Sequence, residues 1–109
     1  MSRFIFLVVS LALFAAAPSQ AKVRGERIIL TAVLSETGPY AATGARLADA
    51  YRFAIDALNA QGGVTIGRRN YQFALEGVDA GSTAVGAADA LRSALDAGGQ
   101  FFLGDAAPI

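Results

Sequence analysis

The spacing of apolar residues changes repeatedly along this chain of 109 residues, and these changes constrain its fold more than any single motif does. Residues 27–34 form an almost continuous apolar run rich in β-branched side chains, which is typical of a strand covered on both faces. From about residue 40 to residue 60 the period becomes 3.6, with Leu47 and Tyr51 on one face, which predicts an amphipathic helix. Residues 71–78 then alternate apolar and polar side chains, as expected of a strand at the edge of a sheet.

A second helix and a third strand complete the pattern. The helix begins at Ser82 or Thr83, either of which offers a side-chain oxygen for the N-cap, and it runs to about Ala97. Its predicted buried face consists of Val85, Ala88, Leu91 and Leu95. Residues 100–103 form the third strand. This order predicts an α/β fold with a three-stranded parallel β-α-β-α-β segment of strand order 2-1-3, in which ligands bind beyond the carboxyl ends of the strands.

Residues 1–21 have the three parts of a secretory signal peptide. Arg3 supplies the positive charge, residues 4–17 form an almost unbroken apolar run, and small residues precede a cleavage site after Ala21. The run is too short to span the ~30 Å hydrocarbon core of a membrane. We therefore expect export to the periplasm and cleavage after Ala21, which leaves residues 22–109 as one small domain or part of a larger one.

Charge and composition exclude several classes of function. The chain has nine Lys and Arg against nine Asp and Glu and no cluster of basic residues, which argues against a nucleic acid or an anionic membrane surface as partner. It contains neither cysteine nor histidine, so disulfides, zinc sites built from Cys and His, and His-based triads are excluded. No dinucleotide fingerprint or phosphate-binding P-loop is present. We therefore expect no catalysis, no metal and no cofactor.

The loop that follows the first strand, S-E-T-G-P-Y at residues 35–40, has two interpretations. It is either a Gly/Pro turn that leads into the helix, or a ligand loop in which N–H groups at the start of the helix meet an anionic group. Asp105 occupies the position of the phospho-accepting aspartate of receiver domains, which also need an acidic pair where this chain offers only Glu36. Glu36 and Asp105 could form a general acid/base pair, although no nucleophile accompanies them.

Residues 28–67 contain more specific motifs. The loop and helix start read S-E-T-G-P-Y-A-A-T-G, the helix ends in A-I-D-A-L-N-A-Q-G-G-V, and I-G-R-R follows. These motifs resemble the start of periplasmic solute-binding proteins of the leucine/isoleucine/valine-binding type, and the resemblance extends over residues 27–104. It implies a partial N-terminal lobe of the type I periplasmic-binding-protein fold. It also implies a receptor that delivers amino acids or related small solutes to the permease of an ABC importer.

The resemblance further implies which residues bind the solute. They are Gly38, Tyr40 and Ala41 in the first loop, and Gly104, Asp105 and Ala106 after the third strand. Members of this family usually bind the ligand carboxylate with Ser or Thr in the second of these loops, whereas this chain has neither there. The carboxylate of Asp105 would repel that group. The sequence therefore favours a cationic or neutral solute over an α-amino acid, unless its C-terminal part is altered.

Two further expectations concern the whole chain. The resemblance implies that the chain is the N-terminal part of a two-lobed receptor. Without a second lobe to close over the solute, we expect the chain as written to be a truncated, inactive fragment that lacks useful affinity for the solute. The alternative function is the extracellular ligand-binding domain of a sensory receptor. A transmembrane helix and a cytoplasmic module in the downstream sequence would distinguish that receptor from an importer component.

Overall fold

The computed structural model describes residues 23–24 and 26–109, so the predicted signal peptide and its cleavage site lie outside the described residues. Five strands and two helices follow one another along the chain. They are β1 (Val23–Arg24), β2 (Arg27–Leu34), α1 (Ala41–Ala60), β3 (Val64–Ile66), β4 (Arg69–Asp79), α2 (Ala84–Asp96) and β5 (Phe102–Leu103). Neither of these helices is long and apolar enough to cross a bilayer.

The sheet is mixed. β2 pairs in parallel with both β4 and β5, whereas β1 runs antiparallel to β2 and β3 runs antiparallel to β4. The predicted three-stranded, all-parallel segment is therefore wrong, and so is the partial type I periplasmic-binding-protein lobe predicted with it. The prediction missed β1 and β3, whose two and three residues are too few to show a period.

β3 and β4 form a hairpin where the sequence indicated a simple turn. Gly67 at its tip has a φ of 64°, which suits the tight turn between two antiparallel strands. Gly63 has a φ of 72° and lies so close to β4 that a Cβ there would overlap the carbonyl oxygen of Tyr71. These two glycines allow Val64–Ile66 to fold back on the start of β4, with Val64 opposite Tyr71.

β2 is the central strand and carries most of the buried core. Its pairing with β4 runs from Arg27 opposite Gln72 to Leu34 opposite Asp79, so the two strands end at the same edge of the sheet. Ala32 is fully buried and Leu34 is 2% exposed. The continuous apolar run of β2 is explained by this position, because each of its faces is covered by a helix.

The two helices lie on opposite faces of the sheet. Leu34 lines a groove together with residues of α1, whereas Ile29 and Thr31 line a cavity together with residues of α2. Alternate residues of a strand point to opposite faces, so these contacts place α1 on one side and α2 on the other.

Two residues fix α1 against the sheet. Gly44 is buried, and a Cβ there would overlap the carbonyl oxygen of Ser35, so the helix can approach the end of β2 this closely only with glycine. Near the other end of α1, the side-chain amide of Asn59 donates to the carbonyl oxygen of Phe73 at 2.9 Å, and the N–H of Phe73 donates to its Oδ1 at 2.8 Å. Asn59 thus binds the main chain of β4 as a neighbouring strand would.

The predicted buried face of α2 is largely exposed. Val85, Leu91 and Leu95 are 73%, 38% and 52% exposed, and Ala88 is also exposed. Ala94 is the buried residue of this helix. The small residue Ala94 therefore faces the sheet and allows a close approach, while Leu91 lies beside β5, which extends the sheet by only two residues on that side.

Candidate functional site

Three loops lie at the carboxyl ends of the strands that pair in parallel. They are residues 35–40 after β2, residues 80–83 after β4 and residues 104–107 after β5, and we call them together the loop rim. Such an edge is where open α/β sheets bind ligands. Polar side chains connect the three loops through hydrogen bonds.

Asp79 joins the loop after β4 to the loop after β2. Its Oδ1 accepts from the N–H groups of Glu36, Thr37 and Gly81 at 2.9, 3.2 and 2.8 Å, and its Oδ2 accepts from Oγ1 of Thr37 at 2.6 Å. These bonds, that of the Thr37 hydroxyl first, lower the pKa of Asp79 from 3.8 to about 2.

Ser82 makes a second connection between the same two loops. Its Oγ donates to the carbonyl oxygen of Thr37 at 2.6 Å and accepts from the N–H of Tyr40 at 3.0 Å. Ser82 is buried and has a φ of 60°, a conformation that costs free energy in a residue other than glycine. Gly38 lies against it, because a Cβ at Gly38 would come within 2.8 Å of Oγ of Ser82.

Asp105 fastens the loop after β5 to the end of β2. Its Oδ2 accepts from N and Oγ of Ser35 at 2.7 and 2.6 Å, and its Oδ1 accepts from the N–H groups of Ala106 and Ala107 at 2.8 and 3.2 Å. Desolvation raises the pKa of Asp105, but these four bonds outweigh it, those of Ser35 foremost, and the pKa is lowered overall. Since four donors surround this carboxylate, it connects the loop after β5 to the end of β2.

The six residues implied as ligand contacts all belong to this edge, but they do not line one cavity. The N–H of Tyr40 donates to Oγ of Ser82, and Gly38 lies against the same side chain. Asp105 instead accepts from Ser35, and the carbonyl oxygen of Gly104 accepts from the hydroxyl of Tyr51 at 2.6 Å. Tyr40, Ala41 and Asp105 are half-buried, and Gly38, Gly104 and Ala106 are exposed. Ala41 lines one groove, while Gly104 and Asp105 line another.

The groove that contains Ala41 is polar, and we call it the α1 groove. It has a volume of about 230 Å³ and a floor of Leu34, Gly44, Ala45 and Ala48. Glu36, Asp49 and Arg52 bring charges of both signs to it, and a guanidinium nitrogen of Arg52 lies 3.1 Å from Oδ1 of Asp49. The carboxylate of Glu36 lies over Gly77, where a Cβ would come within 2.6 Å of its Oε1.

Sequence reasoning missed the contribution of Arg52 to this site. The signal in the sequence was the polar face of α1, where the structure pairs Arg52 with Asp49 one turn earlier. The second groove has a volume of about 360 Å³ and is mainly apolar, with Val33, Leu91, Leu103 and Ile109 beside Gly104 and Asp105.

Within the described part of the chain, no group of three acidic side chains is arranged to hold a metal ion. No protein-family model matches the chain, and neither a curated protein nor a solved structure matches it.

Proposed function

We propose that this chain binds an amino acid or a related small solute and is the substrate-binding component of an ABC-type importer. The motifs in residues 28–67, which resemble those of leucine/isoleucine/valine-binding proteins, support the class of protein. The observation that carries the proposal is the α1 groove, because it places charges of both signs beside the loop that contains those motifs.

The α1 groove complements a zwitterion. Arg52 can pair with a carboxylate, and Glu36 together with Asp49 can accept from an ammonium group. In this arrangement Arg52 binds the carboxylate of the solute, a role that the resemblance implied for the loop after β5. The groove volume of about 230 Å³ lies below the range of about 300–1,000 Å³ that holds drug-sized ligands, which favours a solute of amino-acid size.

The cross-linked loop rim supports binding in a second way. Asp79 and Ser82 already hold the loop after β2 through hydrogen bonds of 2.6 to 3.2 Å. Because this loop is already ordered, ligand binding does not cost the conformational entropy of ordering it. The α1 groove therefore presents Glu36 and Ala41 in a fixed position next to α1.

A binding assay with a matched control tests this function. The protein is titrated with the standard amino acids and simple amines, and the tightest binder is then measured calorimetrically against Arg52→Gln and Glu36→Gln. Each substitution should raise Kd at least about tenfold, which corresponds to about 1.4 kcal/mol. Arg92→Gln is the control, because Arg92 forms an equivalent i,i+3 pair with Asp89 at 3.2 Å on the other helix.

Binding that responds equally to Arg52→Gln and Arg92→Gln would place the solute elsewhere, and no binding at millimolar concentrations would refute the function. A transport measurement separates the two classes of receptor. Deletion of the gene should lower uptake of the bound solute by the cell, whereas a sensory receptor would leave uptake unchanged.

A further inference from the structure

The β3–β4 hairpin lies at the opposite end of the sheet from the loop rim. β4 runs from Arg69, beside the tip, to Asp79, which belongs to the rim's hydrogen-bond network. At about 3.3 Å per residue this places the tip ~33 Å from the rim. A contact made by the tip would therefore leave the α1 groove open.

The hairpin is held in a defined shape. Its strands pair at three positions, from Val64 opposite Tyr71 to Ile66 opposite Arg69. The side-chain amide of Asn70 donates to the carbonyl oxygen of Gly62 at 2.6 Å and to Oγ1 of Thr65 at 3.3 Å. The tip consequently presents its side chains from a fixed backbone.

The side chains at this tip are cationic and apolar. Ile66 is 57% exposed, and its cross-strand neighbour Arg69 and the adjacent Arg68 are both exposed. Arg27, which starts β2 at the same end of the sheet, is exposed as well. Among the residues that the structure describes, none of these three arginines forms a salt bridge or a side-chain hydrogen bond.

The charges of the chain are thus unevenly distributed although they sum to zero. Three arginines lie at the hairpin end, where exposed Glu26 is the acidic residue next to Arg27. The opposite end carries the acidic side chains of Glu36, Asp49, Asp79 and Asp105, with Arg52 as the cation of the α1 groove. The electrostatic field of a negatively charged surface would orient the chain with the hairpin facing that surface and the loop rim facing away from it.

We propose that the tip formed by Ile66, Arg68 and Arg69, together with Arg27, docks on an anionic phospholipid surface. Guanidinium groups pair with phosphates, and Ile66 enters the boundary between headgroups and acyl chains. Each arginine near such a surface strengthens binding by about fivefold. A protein partner is disfavoured, because a narrow convex tip offers far less than the roughly 800 Å² per partner of a stable interface.

Vesicle co-sedimentation of the full chain tests this proposal. Binding to phosphatidylcholine vesicles is compared with binding to vesicles that also contain phosphatidylglycerol, and the ratio of the two is the readout. This ratio cancels any apolar contribution from residues 4–17. The ratio should be well above one, should fall with added salt, and should drop at least about tenfold in the double variant R68Q/R69Q.

Two controls make the test specific. The double variant R46Q/R92Q removes the same charge from α1 and α2 and should leave the ratio close to that of the unmodified chain. Ile66→Ser should weaken binding to the anionic vesicles, whereas Phe53→Ser should not, although Phe53 is 78% exposed on α1. If R68Q/R69Q does not fold, Arg27→Gln alone should still lower the ratio by about fivefold.

A ratio of one for the unmodified chain would overturn the proposal, and so would an equal loss in R68Q/R69Q and R46Q/R92Q. Binding to an acidic protein without binding to the anionic vesicles would overturn it as well. None of these outcomes bears on solute binding in the α1 groove, which is read separately with Arg52→Gln.

Discussion

Asp79 holds the loop after β2 with both carboxylate oxygens, Asp105 holds Ser35 with its Oδ2, and these roles could not be read from the sequence. Asp79 accepts from groups of the loop after β2, and Asp105 accepts from both polar groups of Ser35. The sequence placed both carboxylates at strand ends, where ligand groups are also found. Whether such a carboxylate faces a ligand or a loop depends on residues more than 40 positions away, such as Thr37 for Asp79.

The hydrogen bonds of Asp79 predict a dependence of stability on pH. Its pKa is about 2 in the folded protein and 3.8 without these bonds, so its contribution is fully present above about pH 4. As the pH falls towards 2, the folded protein loses the contribution because the carboxylate is protonated. Chemical denaturation between pH 4 and pH 2 should show this loss, and Asp79→Asn should flatten the curve in that window.

An NMR titration of the Asp79 side chain provides the direct check. A midpoint near 2 agrees with the hydrogen bonds described above, whereas a midpoint near 3.8 would contradict them. Asp96, which lies exposed near the end of α2, is the comparison residue for the denaturation experiment. Asp96→Asn should leave the slope between pH 4 and pH 2 close to that of the unmodified chain.

At the scale of elements, the side-chain amide of Asn59 connects α1 to β4 through hydrogen bonds. Asn59 exchanges two hydrogen bonds of 2.9 and 2.8 Å with the main chain of Phe73. Asn59→Ala should lower the free energy of unfolding by about 1–3 kcal/mol, because the polar groups of Phe73 lose both partners. Amide hydrogen exchange at Phe73 should become faster. Gln61→Ala, an exposed change at the end of the same helix, should alter neither quantity appreciably.

The two helices should also respond differently to the loss of a large apolar side chain. Ile55 of α1 is 6% exposed, so Ile55→Ala should cost about 2–4 kcal/mol in urea denaturation. Leu95 of α2 is 52% exposed, and Leu95→Ala should cost less than about 1 kcal/mol. Equal costs would mean that the apolar stripe of α2 is buried in solution, as the sequence predicted.

The sequence predicted the helices well and the sheet poorly. The 3.6-residue period placed α1 and α2 within a residue or two, and Thr83 caps α2 by accepting from the N–H of Gly86 at 2.9 Å. The hairpin was missed because β3 has three residues, which cannot display an alternation. The exposure of Leu95 was missed because a period identifies an apolar face but not whether a neighbour covers it.

At the scale of the whole molecule, the sequence predicted which loops lie together at one edge of the sheet, and that these loops bind a solute stays a prediction. The motifs drew attention to the loop that contains Tyr40 and to the residues around Asp105, and both belong to the same edge of the sheet. The charges of the α1 groove were not foreseen. Arg52 and Asp49 belong to a helix face that looks merely solvated in the sequence, and the packing of α1 on the sheet brings them beside Glu36.

The N-terminal region predicts how the chain is processed. Residues 1–21 have the pattern of a signal peptide, so the exported protein should begin at Lys22-Val23-Arg24. N-terminal sequencing of the product recovered from the periplasm checks this prediction. Full-length chain retained in the membrane fraction would contradict it.

The hydrogen bonds of the loop rim join residues that lie far apart in the sequence. This separation affects the order of events during folding. Ser35 and Asp105 are 70 residues apart, and Thr37 and Asp79 are 42 apart. Closing such long loops costs chain entropy, and one hydrogen bond does not offset that cost. We therefore expect these bonds to form after the transition state, once β2, β4 and β5 are aligned.

Asp105→Ala should therefore speed unfolding and leave the folding rate unchanged. The substitution removes Oδ2 of Asp105, which accepts from both N and Oγ of buried Ser35. We expect a loss of about 1–2 kcal/mol, which corresponds to an increase in the unfolding rate of about 5- to 30-fold. Stopped-flow mixing across a range of urea concentrations measures both rates, and a matching decrease in the folding rate would show that the contact forms early. Late closure would make the rim the last part of the protein to assemble and the first to open.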